Sequence, residues 1–233
     1  MSDILDRVLL PDGWEDFFLA NRTLINRILD TIIQSDIYIV PEPCDVFDIF
    51  YKMRPDDIRL AMFGQDPYPG RCPVTQHRYA CGTAFAIHEK CKIIPPTLSN
   101  ICDAISDGNE FISDKQLTTW ISQGIFLGNI GWTRGLCRDM RESHVQLWEE
   151  FSRNLVRWIC EHNSNVVLAL FGTRAWVLEE EAIRKDLVVK AYHPVARNTD
   201  LKHLKSSFKK ISKLVDIEWN TILQRSAEPA PCE

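Results

Sequence analysis

Four short apolar runs, at residues 58–63, 125–127, 166–171 and 187–192, alternate along the chain with stretches of helical periodicity. Runs of this length without strict polar alternation are buried on both faces, the pattern of parallel strands covered by helices. The expected fold class is therefore α/β, with a central four-stranded, mainly parallel sheet flanked by helices. Helices are predicted at 95–106, 113–122, 143–162, 173–185 and 200–215. In the second of these, Ser113 and Gln116 have capping-box spacing and Gly124 supplies a stop. Ahead of the first strand, residues 14–34 read as one long amphipathic helix with Phe17, Phe18, Leu24, Ile25, Ile28 and Ile32 at helical spacing, and 46–52 as a short one. The chain then divides into a helical region at 1–57 packed on the rest, an α/β domain at 58–220, and a flexible tail at 221–233.

Composition narrows the class further. With 233 residues, 45% of them hydrophobic and 25% charged, the chain is neither a fibre nor a disordered tail. No window reaches the roughly 18 consecutive apolar residues of a membrane helix, and Asp3 and Asp6 stand where a secretory signal would be basic, so no membrane association is expected. The eight cysteines include no C-x-x-C pair and sit in mostly apolar or helical surroundings. They read as reduced, buried thiols of an intracellular protein, nuclear or cytoplasmic. A metal site from Cys72, His77, Cys81 and Cys91 has irregular spacing that matches no common zinc knuckle, and no metal or other cofactor is expected.

In open α/β sheets ligands bind beyond the carboxyl ends of the strands. Here the first run ends in Gly64-Gln65-Asp66-Pro67-Tyr68, the second in Gly128-Asn129, the third in Gly172-Thr173 and the fourth in His193-Pro194. Singly, each residue has a plain explanation: Asp66 as a turn residue before proline, Asn129 as an Asx-turn, His193 as a satisfied strand-end imidazole. Together they bring a carboxylate, an amide and an imidazole to one sheet edge, an arrangement suited to hydrolysis.

These residues also resemble a known family. The block Gly64-Gln65-Asp66-Pro67-Tyr68 is similar to the water-activating motif of family 1 uracil-DNA glycosylases. Gly82-Thr83-Ala84-Phe85 is similar to the family's base-stacking segment, Pro95-Pro96-Thr97-Leu98 to its proline-rich loop, Gly128-Asn129 to its uracil-reading strand end and His193-Pro194 to its final loop. The five blocks fall in the family's order across residues 58–220. The resemblance implies a monofunctional enzyme that flips uracil out of single- or double-stranded DNA and hydrolyses its N-glycosidic bond, leaving an abasic site. In that reading Asp66 orients water and stabilises the sugar cation, and His193 stabilises the anion at uracil O2. Asn129 reads the N3–H and O4 edge, Phe85 stacks, Tyr68 excludes the thymine methyl, and the Gln65 backbone donates to the pyrimidine. Pro95, Pro96, Thr97, Thr173 and Arg197 would contact DNA.

The chain departs from the cellular pattern in places. Pro69 follows Asp66-Pro67-Tyr68 where histidine is usual, the loop 69–81 is enlarged and carries Arg71, His77 and Arg78, and Arg197 stands where an apolar wedge is usual. Asp-Pro-Tyr-Pro and His-Pro-x-Ala-Arg, with Ser143-His144 ahead of Trp148, are most similar to the poxviral type. That type implies a second reading, a DNA-tethering subunit with a replication or polymerase processivity partner. The formal charge of −5 argues weakly against a nucleic-acid protein, but it is uneven. Residues 1–57 hold 12 acidic and 5 basic residues, whereas 184–213, which bracket His193, hold 9 basic and 2 acidic. A positive field is thus expected beside the candidate site.

Overall fold

The computed structural model describes residues 9–35, 38–106, 110–136, 143–197 and 200–225. Four strands, β2 (Leu60–Gly64), β4 (Ile125–Asn129), β6 (Val167–Phe171) and β7 (Val188–Ala191), form one sheet in the order β4-β2-β6-β7 with every pair parallel. The register pairs Gly64 with Asn129 and Phe171 with Ala191, so the strands end nearly level. Level ends are what bring the residues after each strand to one edge. All five residues of β2 and of β6 are buried, as two-sided cover by helices requires.

Helices α4 (Pro96–Ile105), α6 (Val145–His162) and α7 (Leu201–Ser212) supply that cover. Asp200 caps α7 by accepting from the His203 amide at 2.8 Å, satisfying one of the first-turn donors. The N-terminal part holds α1 (Glu15–Ala20), α2 (Arg22–Gln34) and α3 (Asp48–Lys52). One helix was expected over 14–34, but Asn21 breaks it: its Nδ2 donates to the Phe17 carbonyl at 2.9 Å, and its Oδ1 accepts from Asn154 of α6 at 2.7 Å. A short amide side chain competes with the helix ladder in this way. Trp14, Phe17, Phe18, Phe50, Phe126 and Phe151 pack mostly edge-on or tilted, with Phe17 and Phe50 stacked, at centroid distances of 4.9–6.4 Å, and join the N-terminal helices to the sheet in a single core. Burying one such ring is worth roughly 2–3 kcal/mol.

Three expected elements are corrected. Only α5 (Thr118–Ile121) forms within 113–122, because Leu117 lies at φ +57°. The capping box is absent: Ser113 instead donates to the Ile222 carbonyl, and Asp114 caps the turn by accepting from the Thr119 amide at 2.8 Å and from both threonine hydroxyls. At 173–185 the chain makes a 3₁₀ turn, Ala175–Glu181, rather than an α-helix. The chain past 220 does not begin as a tail, since β8 (Leu223–Arg225) pairs antiparallel with β3 (Glu110–Ile112). The remaining strands, β1 (Ile39–Val40) and β5 (Arg134–Gly135), pair with each other. Among the described residues no helix is long and apolar enough to cross a membrane.

Candidate active site

A cavity of about 210 Å³ opens at the carboxyl edge of the sheet, above β2 and β4. Gln65, Asp66, Tyr68, Phe85, Thr97, Asn129 and His193 all line it. Seven of the eleven candidate residues thus meet around one space; Pro95, Pro96, Thr173 and Arg197 are not part of its wall. Pro95 is buried as the N-cap of α4, while Pro96, Thr173 and Arg197 are exposed.

Asp66 and Asn129 owe their positions to the level ends of β2 and β4. Backbone bonds extend the pairing past the strands, from the Ile130 amide to the Gly64 carbonyl at 3.0 Å and from the Gly131 amide to the Gln65 carbonyl at 2.9 Å. Gly64 makes the centre of the site possible. A Cβ there would lie 2.7 Å from Asn129 Oδ1 and 3.1 Å from the tip of the Phe85 ring, so glycine alone lets amide and ring converge over the strand end. Ser152 of α6, buried, donates to the Ile130 carbonyl at 3.0 Å and accepts from Trp132 Nε1 at 2.9 Å, which fixes the loop that follows Asn129 from below. Trp132 and Trp148 are buried in the core, and Trp148 Nε1 donates to Thr133 at 2.7 Å.

Phe85 sits at φ +66°, a left-handed conformation that costs a bulky residue about 1–3 kcal/mol and persists only where neighbours enforce it. Three ties do so. The Ala84 amide donates to the Leu127 carbonyl at 3.1 Å, Thr83 Oγ1 donates to Asp48 at 3.1 Å, and Tyr68 Oη donates to the Phe85 carbonyl at 3.0 Å. Burial raises the Tyr68 pKa far above the ordinary phenol range, so it stays a neutral donor. Beside it Cys81, its thiol pushed up to about 11 by burial, is a wall residue rather than a nucleophile.

His193 follows β7. Its Nδ1 accepts from the Val195 amide at 3.3 Å, leaving the proton of the neutral ring on Nε2. Burial lowers its pKa below the ordinary imidazole value of 6.5, against the opposing pull of the Asp66 charge. The ring is therefore neutral at pH 7. Since the folded chain resists protonating it, His193 makes stability fall as pH drops through the unfolded imidazole pKa. Nitrogen-15 NMR of the imidazoles should report an Nε2–H tautomer for His193 and a midpoint below 6.5; a midpoint at or above that value contradicts the burial argument.

Sequence reasoning missed three contributors. Arg134, on β5, donates from Nη1 to Asp66 Oδ2 at 3.1 Å, with side chains only 18% and 10% exposed. Asn100 of α4 donates to the Pro194 carbonyl at 2.8 Å and latches the loop that carries His193. Val195, 47% exposed, forms the outer lip. The enlarged loop 69–81 turns inward: Arg78 pairs with Glu42 and donates to the Ile39 carbonyl, and Arg71 donates to the Gln76 carbonyl. In the basic stretch, Arg184 and Lys190 are paired with Asp186 and Glu179, whereas Lys202, Lys209 and Lys210 of α7 stand exposed. Among the described residues no group of three or more His, Cys, Asp or Glu is placed to hold a metal ion, and Cys72, His77, Cys81 and Cys91 form no such group.

The chain is similar to proteins of one kind. A uracil-DNA glycosylase of Borrelia hermsii is 30% identical over 198 residues, covering 80% of this chain and 84% of the relative. One from Haemophilus influenzae is 33% identical over 161 residues, covering 67% and 69%. A probable uracil-DNA glycosylase of Acanthamoeba polyphaga mimivirus is 27% identical over 82% of this chain, which spans about half (53%) of that relative's length. Among solved structures, mimivirus uracil-DNA glycosylase superposes with a TM-score of 0.71 at 26% identity, covering 82% of this chain and 71% of that one. No protein-family profile matches.

Proposed function

This chain belongs to the uracil-DNA glycosylase family, and we propose that its cavity takes a uracil extruded from DNA and hydrolyses the bond between uracil N1 and the deoxyribose C1′. The observation that carries the reading is the convergence of Asp66, Asn129 and His193 on one cavity at the carboxyl edge of the parallel sheet. Breaking that bond leaves a cationic, oxocarbenium-like sugar and an anionic base, so the site needs negative charge at one end and a donor at the other. Asp66 supplies the charge, orients the attacking water and takes its proton as the C1′–O bond forms. His193 Nε2–H donates to uracil O2 as the electron pair of the broken bond moves into the base. A neutral imidazole suits this role, because it donates a hydrogen bond to the developing anion while keeping its own proton.

Selection of uracil rests on three side chains. The planar amide of Asn129 offers an acceptor to N3–H and a donor to O4, a pairing that cytosine reverses. Phe85 stacks on the ring, itself packed edge-on against Phe171 with centroids 5.7 Å apart. Tyr68 occupies the C5 side and meets the methyl group of thymine. Thr97, at the cavity wall on the first turn of α4, contacts the flanking phosphate, with the exposed Pro96, Thr173 and Arg197 outside the wall available to the DNA and the buried Pro95 fixing the start of the helix. Extrusion costs a few kcal/mol from duplex and little from single strands.

The test is release of free uracil from single-stranded DNA containing one uracil. The native chain is expected to release it and to leave an alkali-labile abasic site; no release overturns the proposal. Tyr68→Ala is expected to gain slow release of thymine, and no gain at all removes the steric argument for Tyr68.

A further inference from the structure

We infer that Arg134 is a positioning residue for uracil excision, acting through Asp66. The inference rests on the reading of Asp66 given above. Arg134 lies where the backbone is clamped from both sides: it pairs with Val40 across β1 and β5 and forms an isolated bridge to Ser143. Its neighbour Thr133 is fully buried between Trp148 Nε1 and His144 Nδ1, at 2.7 Å and 2.8 Å. The side chain therefore leaves a fixed point and enters the cavity wall, where Nη1 meets Asp66 Oδ2 at 3.1 Å.

Three features make this contact more than a stray ion pair. Asp66 is 10% exposed, and burying a charged group costs free energy unless it is paired. Among the described residues Arg134 is its side-chain partner, and the neighbouring Pro69 contributes no donor. The contact is also one-sided. A single N–H reaches Oδ2, which leaves Oδ1 for the water that attacks C1′; a two-pronged grip would have occupied both oxygens. Finally, Arg134 Nε is buried with no hydrogen-bond partner among the described residues, so nothing described on that edge of the guanidinium competes with Asp66 for it.

A carboxylate that must face both a water and the sugar cation depends on its aim, and a displacement of about 1 Å can cost 10²-fold in rate. Arg134→Gln is accordingly expected to lower kcat for uracil release from single-stranded DNA by about 10- to 100-fold. KM should stay within about threefold, because Arg134 does not contact the base. Arg134→Lys should keep an intermediate kcat, since lysine restores the charge without the planar fork. Added guanidinium chloride at non-denaturing concentration should raise the rate of Arg134→Ala but not that of Asp66→Asn. Most tellingly, Arg134→Gln in an Asp66→Asn background should cost less than about twofold more.

A native-like kcat in Arg134→Gln overturns the inference. So does a loss that multiplies in full onto that of Asp66→Asn, or one confined to KM, since either means that Arg134 works on the DNA directly. If Arg134→Gln does not fold by circular dichroism, Arg134→Lys carries the same comparison, and either a native kcat or a loss that multiplies in full onto that of Asp66→Asn counts against the inference. Failure of the functional proposal would look different, because the native chain itself would then release no uracil.

Discussion

Asp66→Asn is expected to release uracil from single-stranded DNA about 10²- to 10³-fold more slowly than the native chain, the scale on which a preorganised electrostatic group acts. The substitution keeps the shape of the side chain and removes its charge. Asn129, Phe85 and Tyr68 lose no hydrogen bond, since among the described residues Asp66 bonds to Arg134 and to none of those three. Binding of free uracil should therefore survive nearly unchanged while the chemical step fails. Single-turnover release measured beside equilibrium uracil binding separates the two. A variant that cleaves at the native rate shows that the sugar cation draws its stabilisation from elsewhere. A variant that loses uracil binding to the same extent as cleavage shows that Asp66 shapes the pocket instead.

Asp66 and Asn129 were legible in the sequence because each closes a buried apolar run, and His193 because it follows a run that is apolar but for Lys190 and proves half-exposed at the sheet edge; a parallel sheet has one edge at which such ends meet. Their neighbours were not. Arg134 belongs to a strand of two residues whose partner, Val40, lies in another two-residue strand far back in the chain, and no periodicity marks a strand that short. Asn100 reads as an ordinary polar position of α4, yet its amide reaches the Pro194 carbonyl 94 residues away. Local signals failed where a tertiary partner offered a better bond. Ser113 abandoned its capping box for the Ile222 carbonyl, and Asn21 turned from the helix ladder toward Phe17 and Asn154. The basic surplus of residues 184–213 does not translate residue by residue into free charge. Some of the cations near His193 are occupied by acidic neighbours, whereas Lys202, Lys209 and Lys210 of α7 stand exposed.

Gly82→Ala is expected to lower stability by about 3–5 kcal/mol, from left-handed backbone strain added to a steric collision. Gly82 lies at φ +80°, and a Cβ there would stand 1.7 Å from the Asp45 carbonyl oxygen and 2.7 Å from Asp48 Cβ. Neither is the free end of a flexible side chain, so the 82–85 segment and the α3 entrance would have to part. The damage would travel to the site through Thr83, whose bond to Asp48 sets the course of the chain into Phe85. Thermal unfolding should show a midpoint lower by roughly 10 °C for a chain of this size. Whatever remains folded should bind uracil more weakly through a displaced Phe85. Gly70→Ala serves as the comparison, because its Cβ would meet only Tyr79 at 3.9 Å and should leave both quantities near native. If Gly82→Ala unfolds at the native midpoint, the close approach of Asp45 to Gly82 does not hold the stacking segment in place, and the left-handed Phe85 must be fixed by Tyr68 and Leu127 alone.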